Sequence, residues 1–577
     1  MKQQETSITY PFRRKLIVVF FVLISGLLVW RAFYLQILNK DFLRTEGESR
    51  SLRVVKTPAH RGMITDRNNE PLAISTPVDS IWAVPRQVMD NPQSVPALAR
   101  LIDVEPDALL QMLRERIGRA FVYLKRQVSP ERSREIMNLG INGVYQEQEF
   151  KRYYPAGEVT AHLVGFTNVD DTGQEGIELA YERWLKGVPG AKQVLKDRLG
   201  RTVRDVESIQ PANPGKTLAL SIDRRVQYLA YRELATAVRS NNARGGSLVM
   251  LDSNTGEIMA IAVYPSYNPN NRAGQKTEYF RNRAITDVFE PGSTLKPFTM
   301  AAALLSGMYD MDSVIETAPG QLRVSNHVIK DIHNYGALDL AGIIQKSSNV
   351  GAGKIGLALG PKPLWQVLQD VGFGVQTSSG FPGESPGVLF NYTNWTELDL
   401  ASIAFGHSMA VTTLQLAQAY SVIASGGILR PISFQKVDRV EEGTRVLPEE
   451  VTANLMLMLE KVVEPGGTGQ RANVPLYRVA GKTGTAHKST SSGYAEDKYL
   501  SLFAGMAPAS APRLVMAIVI DEPAGGEHFG GLVAAPVFSR VMQGALRILD
   551  IAPDKIPELE SSLVTANSNA NLPKNTR

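Results

Sequence analysis

Apolar and polar positions follow several rhythms along this chain, and the first is the most uniform: Leu16 to Trp30 is apolar apart from Ser25 and Gly26. At 1.5 Å per residue that run reaches about 22 Å, short of a hydrocarbon core of about 30 Å. Ala32 to Leu38 extend it, with Arg31 able to snorkel and Phe33 and Tyr34 placed as interfacial anchors. The pattern predicts a transmembrane anchor at 16–38. Arg13, Arg14 and Lys15 hold the preceding tail, 1–15, on the cytoplasmic side, so everything after about residue 40 is exported. A cleaved signal peptide would share the basic and apolar stretches, but no small-x-small site follows Trp30.

From 39 to 210 strand-like pieces alternate with short helical ones; Ser129-Pro130-Glu131, for example, supplies a capping serine and a first-turn proline. This reads as a separate pedestal module, closed by the proline-rich linker Ile209 to Gly215. The segment 216–550 then carries a coherent α+β pattern. Asp223 to Ala243 has helical spacing, and Gly246 to Val263 reads as a hairpin turning at Ser253-Asn254-Thr255-Gly256. Leu500 to Met506 and Arg513 to Asp521 alternate as adjacent strands, and Val537 to Asp550 closes the domain as a helix. A five-stranded antiparallel sheet flanked by helices accommodates this order. Residues 551–577 are polar and are expected to be mobile.

A chain of 577 residues with 44% hydrophobic content needs two or three domains. The net charge of +5 is mild and no aromatic-interleaved basic stripe occurs, so nucleic acid is not an expected partner. There are no cysteines, which excludes disulfides and thiol catalysis and suits an oxidising compartment. No metal-ligand spacing, dinucleotide signature or phosphate loop is present; neither metal nor cofactor is expected.

The chemistry gathers around Ser293-Thr294-Leu295-Lys296, set after Pro291-Gly292 at the head of an apolar run to Leu305. On a helix, positions three apart share a face, about 5–6 Å between Cβ atoms, which brings an amine to a hydroxyl. To act as a base, Lys296 must be neutral; moving its pKa from about 10.4 to about 7 corresponds to roughly 4–5 kcal/mol, supplied by burial and a second cation. A second Ser-x-x-Lys, Ser433 to Lys436, follows Pro431 with no helical apolar face behind it and reads as a surface strand or turn. Two further patterns follow in order. Ser347-Ser348-Asn349 lies between the helical stretches Leu338 to Lys346 and Val350 to Leu359, in a loop that either presents side chains to a cleft or caps a helix. Lys482-Thr483-Gly484-Thr485 reads as a strand, where Gly484 permits close backbone approach.

With three patterns in this order, the chain resembles the penicillin-binding proteins, whose signatures are S-x-x-K, S-x-N and K-T-G. Arg61 to Arg67, Arg152 to Gly157, Gly173 to Glu178 and Thr255 to Ala260 extend the resemblance to class B, monofunctional members, and most to the division-specific, penicillin-binding protein 3 type. Together the blocks span about residues 55 to 545. Arg61, Asp66, Arg152 and Glu178 within them are expected to form a structural ion-pair network.

The resemblance implies a D,D-transpeptidase acting on peptidoglycan stem peptides that end in D-Ala-D-Ala, and acylated by β-lactams. Ser293 would be the nucleophile, Lys296 its base, Ser347 a proton relay and Lys482 a source of positive potential. Asn349, Thr483, Gly484 and Thr485 would bind substrate, and the backbone N–H groups of Ser293 and Thr485 would form the oxyanion hole. His528 and Phe529 would wall the cleft, and Tyr494 to Tyr499 would be a mobile loop beside it. None of the seven histidines is needed for the chemistry; His407 and His487 read as lining or structural residues. Strands derived from lipid-linked precursor, a membrane glycosyltransferase and other division proteins are the implied partners, in the inner membrane at the septum. An elongation-type transpeptidase, a D-Ala-D-Ala carboxypeptidase, a β-lactamase and a β-lactam sensor remain alternatives.

Overall fold

The computed structural model describes residues 11–196, 202–490 and 493–555. The chain divides into two compact units. One contains the residues up to His60, Val78–Glu149 and Gly187–Pro214; the other contains Arg61–Pro77, Phe150–Lys186 and the chain from Gly215 onward. The tail expected to be mobile lies, from residue 556, outside the described residues.

In the first unit the apolar run is one helix, Pro11–Phe33, continued as a π turn at Tyr34–Leu38. Its apolar side chains are exposed throughout, with no protein packed against them, and by length and composition it can cross a membrane. Leu52–Thr57, Gly190–Lys196 and Thr202–Gln210 form a three-stranded sheet. A small core of Ile81, Leu98, Leu109, Leu113 and Ile136 holds the remainder. Ser129 caps the helix Pro130–Asn138 by accepting from the Arg132 N–H.

The second unit is built on a five-stranded antiparallel sheet. Its strands are β1 (Gly245–Asp252), β2 (Ile258–Tyr264), β3 (Ala480–Thr490), β4 (Gly493–Ala507) and β5 (Leu514–Asp521), in the order β2-β1-β5-β4-β3. This is the architecture expected from the pattern. β1 and β2 make the hairpin at Ser253–Gly256. Both faces of β1, β2 and β5 are buried, which explains their continuous apolar runs.

Helices α1 (Arg224–Ser240) and α7 (Ala535–Ile548) cover one face of the sheet, burying Val226, Leu234, Phe538 and Val541 against Met250, Met516 and Ile518. Asp223 caps α1. The other face meets a helical layer: α2 (Lys296–Leu305), α3 (Leu340–Lys346), α4 (Asn349–Leu359), α5 (Thr413–Ala424) and α6 (Glu449–Val463). α2 is surrounded, every residue from Lys296 to Ala303 being buried, and Phe298 meets Phe373 and Tyr420 edge-on at 5.5 and 5.7 Å.

The four charges expected to form an ion-pair network all fall in this second unit, and three of them form it. Glu178 accepts from Arg61 Nε at 2.7 Å and from Arg152 Nε at 2.6 Å, all three side chains being almost fully buried. Asp66 does other work: it accepts from the backbone N–H groups of Asn68, Glu70 and Arg224, fixing a turn and the first residue of α1. A short polar side chain satisfies backbone donors that a helix start leaves open.

Candidate active site

Pro291-Gly292 does not lead straight into an α-helix. Gly292–Leu295 forms one turn of 3-10 helix, and α2 begins at Lys296. Gly292 has a φ of 52°, and its N–H donates to the Gly406 carbonyl at 2.9 Å. A Cβ at Gly406 would come within 2.0 Å of the Gly292 oxygen, so the two glycines let their chains touch. The tighter turn still places the amine on the hydroxyl: Lys296 Nζ donates to Ser293 Oγ at 2.9 Å. It also reaches the Ser347 carbonyl oxygen at 2.6 Å and Asn349 Oδ1 at 2.8 Å.

Ser347-Ser348-Asn349 joins α3 to α4 as a corner. Ser347 adopts the left-handed region, φ 61°, while Ser348 caps α4 by accepting from the Gly351 N–H. Capping and cleft lining are therefore shared out, with Ser348 facing the helix and its neighbours facing the site. Asp331 pins this corner, accepting from Ser348 Oγ and from the Asn349 and Val350 N–H groups.

Lys482 lies on β3, an edge strand, in register with Ala504 of β4. Its Nζ donates to Ser347 Oγ at 2.9 Å, so that one hydroxyl bridges the two lysines. Thr483, Thr485 and His487 alternate along one side of β3 and line the cleft. Gly484 answers its expected role: a Cβ there would stand 3.0 Å from Thr294 Cγ2 and 3.1 Å from the Pro291 oxygen, so the strand could not lie against the serine turn with a larger residue.

Both lysines are fully buried. Burial, and then the charge of Lys482, hold the Lys296 ammonium well below the usual lysine range; burial alone brings Lys482 down to about 7. These are the two causes required for a lysine base.

The cleft has a volume of about 560 Å³ and contains Ser293, Ser347, Asn349, Thr483 and Thr485. His528 and Phe529 form its far wall, as expected. His528 stacks on Tyr499 with ring centroids 4.0 Å apart, and Tyr499 meets His487 at 4.5 Å. Tyr494 to Tyr499 is not a loop: β4 starts at Gly493, and Tyr494 pairs with Ser489 and Tyr499 with His487. The stretch Glu496-Asp497-Lys498 is charged and carries no apolar alternation to reveal the strand. His407 is away from the cleft walls and pairs with Glu290 at 2.8 Å. In the second Ser-x-x-Lys, Ser433 Oγ donates to the Gln435 oxygen and Lys436 Nζ to the Arg67 oxygen, so the hydroxyl and amine are separately engaged.

The penicillin binding protein transpeptidase domain matches residues 246–543, and the penicillin-binding protein dimerisation domain matches 56–220. The chain belongs to the penicillin-binding protein family. The probable peptidoglycan D,D-transpeptidase PbpC of Pseudomonas aeruginosa is 44% identical over 547 residues, covering 95% of this chain and 97% of that protein. The peptidoglycan D,D-transpeptidase FtsI of Escherichia coli K12 is 44% identical over 560 residues, covering 96% and 95%. The solved transpeptidase domain of Burkholderia pseudomallei penicillin-binding protein 3 is 39% identical, with a TM-score of 0.54 over 59% of this chain and 98% of that one. The chain is thus a class B penicillin-binding protein, similar along nearly its whole length to the FtsI type.

Two residues of this penicillin-binding protein's site escaped the motifs. Thr468 Oγ1 shares a hydrogen bond of 2.8 Å with Thr483 Oγ1, orienting it; the run Gly466-Gly467-Thr468-Gly469 was the available signal. Asp331 had none, because it reaches the Ser347 corner from the end of a separate strand, His327–Lys330.

Proposed function

We propose that this penicillin-binding protein cross-links peptidoglycan stem peptides through an acyl-enzyme on Ser293, during septal wall synthesis. The observation that carries the reading is the buried contact of Lys296 with Ser293 Oγ, 2.9 Å long, in which burial and Lys482 favour the neutral amine. Neutral Lys296 takes the Ser293 proton as Oγ attacks the penultimate D-Ala carbonyl carbon. The N–H groups of Ser293 and Thr485 receive the developing oxyanion, each such donor contributing about 3–4 kcal/mol. The proton passes through Ser347 Oγ, which touches both lysines, to the nitrogen of the terminal D-Ala as the C–N bond breaks. Lys482, Thr483 and Thr485 hold the leaving carboxylate, while Asn349 binds the donor's amide. An amine of a second stem then attacks the ester, gives its proton to Lys296 and releases Ser293. A β-lactam follows the first half of this path and stops there.

The remaining organisation belongs to the same proposal: a cytoplasmic tail, a single-pass anchor in the inner membrane, a pedestal at 39–210 and the transpeptidase domain at 216–550 in the periplasm. The polymerised strands would come from a separate membrane glycosyltransferase working with other division proteins. Fluorescent penicillin tests the nucleophile. Ser293→Ala should abolish covalent labelling and Ser433→Ala should retain it; the opposite result overturns the assignment. Release of D-Ala coupled to cross-link formation, rather than to free acid, separates the transferase from a hydrolase. Filamentation on depletion supports the septal role, and rounding would assign it to elongation.

A further inference from the structure

The 3-10 turn that carries Ser293 meets α2 at a seam, and the seam leaves one carbonyl outside both ladders of backbone hydrogen bonds. Within the turn the Lys296 N–H donates to the Ser293 oxygen. The next oxygen along, that of Thr294, would take the N–H of Pro297 if the turn continued, and proline has none. The α-helical ladder starts later, with Leu295 as the N-cap of α2, whose carbonyl is its first acceptor. Thr294 is completely buried, so its oxygen needs a donor from the protein. That donor comes from α5: Tyr420 Oη donates to the Thr294 oxygen at 2.8 Å. Tyr420 is completely buried as well, on a helix buried at every residue from Thr413 to Ala424, and its ring meets Phe298 edge-on. A phenylalanine would fill the same volume, so the hydroxyl is what this position adds. Burial holds the phenol well above its ordinary pKa, and it stays a donor.

What this bond holds in place is the reacting end of the site. The Thr294 side chain closes the turn, its Oγ1 donating to the Pro291 oxygen at 2.6 Å. β3 rests on the same residue: a Cβ at Gly484 would stand 3.0 Å from Thr294 Cγ2. Thr294 therefore sets both the turn that aims Ser293 Oγ at Lys296 Nζ and the spacing between that turn and the strand carrying Thr485. With its oxygen unserved, the turn would gain by extending the α ladder backwards, Thr294 then accepting from the Phe298 N–H. Such rewinding rotates Ser293 off Lys296 and parts its N–H from that of Thr485. We infer that Tyr420 is a positioning residue, whose hydroxyl keeps the serine turn in its 3-10 form by filling the acceptor that the seam leaves open. It touches no substrate and acts through Thr294, and the inference rests on the acylation of Ser293 proposed above.

The test compares the full-length protein with Tyr420→Phe, with 4-aminophenylalanine in place of Tyr420, and with Tyr267→Phe. Tyr267 is the control, another buried phenol, which donates to the Ala161 oxygen at 3.0 Å outside the cleft. The dependence of labelling rate on fluorescent-penicillin concentration separates encounter affinity from the limiting acylation rate, and melting curves give stability. Tyr420→Phe should lower the limiting rate about tenfold or more, as for one buried acceptor left unmet, with encounter affinity within about twofold of wild type. Tyr267→Phe should lower the melting temperature and leave the limiting rate unchanged. 4-Aminophenylalanine keeps a donor at the ring tip and should restore most of the rate. A limiting rate that Tyr420→Phe leaves at the wild-type value would overturn the inference. So would a folded 4-aminophenylalanine protein as slow as Tyr420→Phe, or an equal fall in Tyr267→Phe, which would make the effect one of general stability. Where Tyr420→Phe melts near the assay temperature, the rates are read below its own transition, and a wild-type rate there also overturns the positioning role. Labelling of Ser293→Ala would instead sink the acylation reading; with that variant silent and the Tyr420→Phe rate normal, only the role of Tyr420 is lost.

Discussion

Lys296 Nζ is surrounded by three acceptors and a hydroxyl that also serves Lys482, a setting that would suit an ammonium if it were wet. Burial reverses that preference, and the neighbouring cation adds to it. Replacing Lys482 with Met removes the cation but not the burial. The Lys296 pKa should then rise, and the acid limb of the acylation profile should move to higher pH by about one unit, about 1.4 kcal/mol. An unmoved limb in a pH series of penicillin acylation would show that Lys296 is not the titrating base. Stability follows with a definite sign. Between about 7, where Lys482 titrates in the native protein, and about 10.5, the unfolded chain binds protons that the folded one does not, so stability should rise with pH across that window. Thermal unfolding of wild type and Lys482→Met between pH 7 and 9 measures it, the variant showing the smaller rise.

At the scale of elements, the site is a meeting of three chain segments: a 3-10 turn, a corner between two helices and an edge strand. Asp331 secures the second of these and also lines the cleft, where its charge opposes the lowering of Lys296 by burial and Lys482, so Asp331→Ala should loosen the corner, lower stability by about 2–3 kcal/mol and slow acylation more than tenfold. Thermal unfolding and labelling kinetics check both halves; full-rate acylation with lowered stability would restrict Asp331 to a scaffold role. These elements were unequally legible in the sequence. The sheet was readable because β1, β2 and β5 are continuously apolar and β1 and β2 turn at a marked hairpin. Ser293, Lys296, Ser347, Asn349 and Lys482 were readable because each motif is local, and the structure brings them within hydrogen-bond reach. What stayed hidden was non-local or lacked a hydrophobic rhythm: Asp331 follows another strand, the 3-10 turn differs from an α-helix by one hydrogen-bond register, and the charged stretch Glu496 to Lys498 carries no apolar alternation.

For the molecule as a whole, Glu178 ties together segments more than a hundred residues apart by pairing with both Arg61 and Arg152 in a dry interior. Glu178→Gln would leave two buried guanidinium groups short of charge, at a cost of about 3–5 kcal/mol. The melting temperature should fall accordingly, and an unchanged value would show that Glu182, which also reaches Arg61 at 2.7 Å, suffices. Because this network lies in the same compact unit as the catalytic sheet, residues distant in sequence from every motif set the temperature range over which the cleft survives.

The corner at Ser347 carries a further implication. A left-handed backbone there would be most comfortable with glycine or asparagine, and serine accepts a steric penalty to occupy it. Either of the easier residues would relax the loop and delete the hydroxyl that both amines share, and with it the proton it can relay. Drift toward a sturdier protein is therefore blocked at this position, and a drug that relies on that oxygen leans on a residue the enzyme has no comfortable way to exchange.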